Sequence, residues 1–267
     1  MSFHHINGVP LFVKDTGGDG VPVIFSHGLL WSHRLFGPQV NALQDRFRCV
    51  SYDHRGQGQS GSDGSRVVEI EQITQDAADL IHALQLAPCH FVGLSMGGFV
   101  GMRLAARHPE LLRSLTLIAT AADPEPPENH PRYKTLIQVT RIFGVRAVRR
   151  AVMPIMFGKT FLNDPERKPL RKQWSRELVS NRRRAVCAVR GVIERSSVED
   201  ELHQIQCPTL ILHGAEDAAI SVPRVNALHQ GIPNAKLVRF ATGGHTLTIE
   251  EPRQVNAELL RFLEQVS

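Results

Sequence analysis

His90-Phe91-Val92-Gly93-Leu94-Ser95-Met96-Gly97-Gly98 runs a short apolar stretch through a G-x-S-x-G sequence into the residues that follow. An apolar run of this length reads as a buried strand, and Met96–Arg107, with apolar residues three and four apart, reads as a helix. The serine therefore falls on a sharp strand-to-helix turn. Glycines are needed at 93 and 97 because a side chain there would collide with neighbouring elements. Ser95 would present its hydroxyl in a cleft, with a helix N-terminus beneath it that favours developing negative charge. A bare G-x-S-x-G pentapeptide is more often a turn than a site. Its placement between strand and helix makes Ser95 the candidate nucleophile.

Working outward, the same alternation recurs. Strand patterns are expected at 22–26, 49–52, 90–92, 115–118, 209–212 and 237–240. Helical patterns lie between them at 36–47, 70–86, 96–107, 222–230 and 253–266, and Ile73, Ala77, Leu80, Ile81 and Leu84 make one apolar stripe. Short apolar strands joined by helices are the signature of a mostly parallel sheet buried on both faces. The first residues differ, with strand patterns either side of Asn7-Gly8 predicting an opening hairpin. The alternation breaks once, after Pro124, Pro126, Pro127 and Pro131, in a region of helical patterns without a convincing strand. The expected architecture is an α/β core of residues 1–120 and 207–267, a mostly parallel central sheet flanked by helices, with a helical cap inserted at 121–206.

Composition suits one folding unit: 267 residues, 42% hydrophobic and 21% charged. No apolar run approaches the length of a membrane span and the N-terminus lacks a secretory pattern. Cys49, Cys89, Cys187 and Cys207 are widely spaced without a CxxC pair, which suits buried thiols in a reducing compartment, so a cytoplasmic location is expected. The net charge of +5 is unevenly placed. Between Arg132 and Arg195 stand seventeen Lys/Arg against four acids, a net +13 that leaves −8 elsewhere.

Four segments together resemble the α/β-hydrolase superfamily over nearly the whole chain. They are Ser26-His27-Gly28-Leu29, Asp53-His54-Arg55-Gly56-Gln57-Gly58-Gln59-Ser60, the Ser95 turn, and the late pair His213-Gly214-Ala215-Glu216-Asp217 and Gly244-His245. Within the superfamily the Gly-Leu-Ser-Met-Gly-Gly turn and the Asp-x-Arg-Gly-x-Gly-x-Ser loop are most similar to the 3-oxoadipate enol-lactonase and small esterase/lactonase group.

A serine hydroxyl is a weak nucleophile at neutral pH and needs a base, for which histidine is suited. The resemblance implies that His245, after Gly243-Gly244 and the last strand, is that base. A carboxylate must then orient it. Asp217, directly after strand 209–212, is the preferred choice, and Asp123, after strand 115–118, is the alternative some family members would suggest. The family's oxyanion donors map to the backbone amides of Leu29 and Met96. His27 and the 53–60 loop read as bracing.

These residues point to hydrolysis of a carboxylic ester or lactone through an acyl-enzyme, with no cofactor and no metal implied. C–C bond hydrolases and cofactor-free perhydrolases use the same three residue types. The former commonly carry Asn before the nucleophile, where this chain has Leu94, and the latter carry Pro in the oxyanion loop, which has Leu29-Leu30. A hydrolase-like ligand-binding receptor is a reading of another class. Substrate contacts are expected from Trp31, Phe157, Phe161 and Trp174, with Leu30, Phe99, Phe143, Met153 and Met156 as further candidates. The cap's positive charge is either a solvated outer face or a funnel for an anionic ester or lactone. No zinc spacing or RNA-binding signature supports nucleic acid as a partner, and nothing in the sequence bears on oligomeric state.

Overall fold

A computed structural model describes residues Met1 to Ser267. Strands β1 (Ser2–Ile6) and β2 (Val9–Asp15) form the opening hairpin, with Asn7 and Gly8 at φ 49° and 75° in the turn. Two consecutive positive φ values match a tight turn to the twist of its strands. Then follow β3 (Pro22–Ser26), α1 (Gly37–Leu43), β4 (Arg48–Tyr52), α2 (Ile70–Ala83), β5 (Cys89–Leu94), α3 (Met96–Arg107) and β6 (Leu112–Ile118). After the helical insertion come β7 (Thr209–Gly214), α9 (Val222–Gly231), β8 (Lys236–Phe240), α10 (Leu247–Glu250) and α11 (Pro252–Gln265), while the insertion itself contributes α4 (His130–Phe143), α5 (Val145–Met156), α6 (Lys159–Asn163), α7 (Lys168–Ser180) and α8 (Val186–Ile193).

The eight strands form one sheet in the order β1-β2-β4-β3-β5-β6-β7-β8. β1 pairs with β2 and β2 with β4 antiparallel, and the remaining neighbours, from β4 and β3 across to β8, are parallel. Alternate residues of each strand feed two separate cores, as the period of two requires. Ile24, Val50, Phe91 and Ile211 pack under α2, α3 and α9, whereas Val23, Phe25, Val92 and Leu212 pack under α1 and α11. Both faces being covered explains why these strands read as continuous apolar runs.

From β4 the chain returns past β3 to reach β5, so the order reverses between β3 and β5. Loops leaving the carboxyl ends of strands diverge at such a point and open a crevice. Ser26-His27-Gly28 and Ser95 stand at its two sides.

Several expected limits shift. The helix expected over 36–47 is a 3₁₀ turn at His33–Phe36 followed by the shorter α1, and β6 begins three residues earlier than its apolar pattern. The region 121–206 holds five helices, but its last limb returns to the core. The 3₁₀ segment Glu199–Gln204 packs against α3 and α9, with Leu202 buried against Gly231 and Glu201 paired with Arg107. No helix is long and apolar enough to cross a membrane, and the four cysteines are free.

Candidate active site

Ser95 closes β5 at φ 53°, ψ −111°, a backbone region that L-residues rarely occupy. The surroundings hold it there. Its amide donates to Ile118 O at 2.9 Å, and its carbonyl accepts from Thr120 Oγ1 at 2.9 Å and from the Gly98 amide at 2.8 Å. A Cβ at position 93 would lie 2.3 Å from Gly97 O, so only glycine lets the helix fold back over the strand.

The hydroxyl of Ser95 lies 2.8 Å from Nε2 of His245. On the opposite ring edge, Nδ1 stands 3.1 and 3.2 Å from the two oxygens of Asp217. Oδ1 of Asp217 also accepts from the amides of Ala219 and Ile220 at 2.8 and 3.0 Å, which fixes the carboxylate before the imidazole meets it. An acceptor at Nδ1 places the proton there and leaves the Nε2 lone pair toward serine. Burial disfavours the imidazolium of His245, but the charge and hydrogen bond of Asp217 outweigh it and raise its pKa above the ordinary 6.5. Asp123 is elsewhere, held by both oxygens on Nε of Arg224.

The Leu29 amide, on the loop after β3, has no intramolecular partner, and Met96 opens α3, where first-turn amides have no acceptor within the helix. The loop is close to Ser95, since a Cβ on Gly28 would lie 3.5 Å from Ser95 Cβ. Two braces set it. His27 Nδ1–H donates to Gly28 O at 2.8 Å while Nε2 accepts the His54 amide at 3.0 Å, and burial keeps the ring neutral for this double duty. Gln57 Oε1 accepts the Leu30 amide at 2.8 Å, and its Nε2 faces Met96 Sδ at 3.7 Å.

A family profile described as the alpha/beta hydrolase fold matches residues 21–252. The chain belongs to the α/β-hydrolase fold family. It is similar to RutD of Rhizobium rhizogenes, provisionally named a carbamate hydrolase, at 28% identity over 92% of this chain and 93% of the relative. It is also similar to the crystal structure of the enol-lactonase from Burkholderia xenovorans LB400, at 28% identity and TM-score 0.90, covering 98% of this chain and 99% of that one. A thermophilic esterase from Thermogutta terrifontis gives the same identity and TM-score over 99% and 98% of the two chains. Fold and relatives are those of hydrolases.

Above Ser95 and His245 this α/β-hydrolase encloses a cavity of about 920 Å³, open space at its mouth included, with eighteen of its twenty-two lining residues hydrophobic. Helix α5 explains its walls. Val145, Val148, Val152, Ile155 and Met156 form a buried stripe at helical spacing and line the cavity, while Arg146 and Arg150 face solvent. Val186, Val189 and Val192 of α8 close the other side.

The four aromatic residues expected to touch substrate require correction. Trp31, Phe157, Phe161 and Trp174 are buried, yet none lines the cavity that holds Ser95. Trp31 meets Trp174 edge-on at 5.3 Å and Phe157 at 5.9 Å, and Phe157 stacks on Phe161 at 4.8 Å. They form the apolar seam between insertion and core, because large aromatic faces bury best against one another. Of the further candidates, Leu30, Phe99 and Met156 line the cavity and Phe143 is exposed.

Two acids hold positions that the motifs did not assign them. Glu250, five residues after His245, is buried and accepts from the amides of Gly158, Gly244 and Thr246 at 2.8, 3.0 and 3.2 Å. Burial pushes its carboxyl up to about 7. It thus ties the His245 loop to the insertion. Glu216, beside Asp217, accepts from the amide and hydroxyl of Thr160 at the start of α6. The signal for both was weak, an acid near a glycine-rich turn, since their partners are backbone amides distant in sequence.

Proposed function

We propose that this α/β-hydrolase cleaves a carboxylic ester or lactone through an acyl-enzyme formed on Ser95. The observation carrying the reading is the 2.8 Å approach of Ser95 Oγ to His245 Nε2, with Asp217 on the other ring nitrogen. In the first step Oγ bonds to the carbonyl carbon, its proton passes to Nε2, and the carbonyl π electrons move onto oxygen. The amides of Leu29 and Met96 receive that oxyanion. Its collapse breaks the bond to the leaving oxygen, which takes the proton from Nε2. Water then attacks the acyl group, gives its proton to Nε2, and Ser95 recovers it as the acid departs.

The imidazolium formed in each half-reaction is supported by Asp217, whose own charge is held by two amides. The relatives named for esterase and enol-lactonase activity lend support to the substrate class. A p-nitrophenyl ester series and a lactone panel, with wild type beside Ser95→Ala, test the reading. Turnover confined to wild type is expected, and equal turnover by both proteins would overturn the assignment of the nucleophile.

A further inference from the structure

We infer that the cavity admits neutral apolar substrates and that Glu125 turns away those bearing a carboxylate, a proposal that rests on Ser95 as the nucleophile for its kinetic arm only. The basic insertion invites the opposite expectation, an anion funnel. Its cations are placed otherwise. Eleven of the seventeen Lys/Arg between Arg132 and Arg195 are exposed, and none of the seventeen lines the cavity.

Apart from His245 and Tyr133, the one ionisable side chain lining the cavity is that of Glu125, which is 7% exposed and ion-paired with Arg195. Its Oε1 accepts from Asn129 Nδ2 at 2.7 Å and its Oε2 from Arg195 Nη1 at 3.2 Å. Arg195 lies outside the lining. Its remaining Nη contacts are Val192 O and Asp123 O at 2.7 and 3.0 Å, and its guanidinium rests over the Phe99 ring at 4.2 Å. The ion pair therefore presents its negative end to the cavity. Tyr133 lines the same wall as a neutral hydroxyl, since burial and the nearby Glu125 push its pKa up to about 12.

A substrate carboxylate entering this space would lose its hydration among apolar side chains and meet a like charge. An alkyl chain meets neither cost. Because the repulsion acts in a buried space, salt should screen it little.

The test compares p-nitrophenyl hexanoate with mono-p-nitrophenyl adipate, in which a carboxylate replaces the terminal methyl. Wild type is expected to favour the hexanoate in kcat/KM by about tenfold or more, in low salt and in 0.5 M NaCl alike. Glu125→Gln should shrink that ratio by raising the adipate value. Equal values in wild type, or an unchanged ratio in the variant, would overturn the proposal. Should Glu125→Gln fail to fold, Ser95→Ala decides by binding alone: hexanol should raise Tm and hexanoate should not, and equal shifts would refute the selection. Absence of turnover in wild type with this binding preference intact would instead refute only the nucleophile.

Discussion

A Cβ on Gly97 would lie 1.9 Å from the carbonyl oxygen of Ser26. Helix α3 thus begins with its backbone pressed against the end of β3, and this contact brings the Leu29 loop to Ser95. Neither backbone can yield without moving a central strand. Gly97→Ala is expected to cost about 3 kcal/mol or more, lowering Tm by roughly 10 °C, and to abolish activity in whatever protein folds. A thermal melt within a few degrees of wild type would show that the turn has room.

The orientation of His245 depends on Asp217. Asp217→Asn should keep the fold and reduce kcat by roughly 10³–10⁴, because an amide can donate to Nδ1 and favour the wrong tautomer. Stopped-assay kinetics beside a circular dichroism spectrum would check both halves.

In the proposed reaction His245 acts as a neutral base, and its folded pKa is raised above 6.5. The acid limb of kcat/KM should accordingly have its midpoint above 6.5, with activity lost as pH falls through it. In Asp217→Asn the residual activity should titrate lower, since the raising partner is gone and burial remains. A pH–rate profile of each protein measures this.

Glu250 makes a stability prediction with a defined sign. Its folded pKa, about 7, lies above the ordinary 4.5, so the folded state holds the proton more tightly and stability falls as pH rises from 4.5 through 7. Glu250→Gln cannot ionise. Its stability relative to wild type should improve by about 2 kcal/mol between pH 5.5 and 8.5, while His245 titrates in both proteins and cancels to first order. Urea unfolding at the two pH values provides the measurement.

The apolar walls set a chain-length rule. Each methylene buried should raise kcat/KM about fourfold until the cavity is full. Val148→Phe, on the α5 stripe, should move the optimum to shorter esters. A p-nitrophenyl acetate-to-decanoate series would reveal both effects.

Trp174 should behave as seam rather than substrate contact. Its indole Nε1 is buried without a partner, so Trp174→Phe loses some packing but also removes an unsatisfied donor. A stability change within about 1 kcal/mol and an unaltered chain-length profile are expected.

Much of the site was legible because its requirements are local or follow strand order. Ser95 stands out by the glycines its turn needs, whereas Asp217 and His245, after β7 and β8, were expected through the resemblance to the family, with Asp123 left open as the alternative acid. Trp31 and Trp174 were misplaced for a corresponding reason: aromatic character and helical spacing say that a side chain is buried, not which of two neighbouring interiors receives it.

What the amino-acid sequence determined alone was the alternation that makes a doubly covered parallel sheet, the glycines that permit the Ser95 turn, and the residue types able to move a proton. Tertiary structure decided the rest. It placed Asp217 beside His245 and Asp123 against Arg224, sent the aromatic cluster to the seam, and set Glu250 and Glu125 against partners in other segments. Patterns along the chain record what each element buries or exposes, whereas the electrostatics of a site depend on distances that exist only after the elements pack.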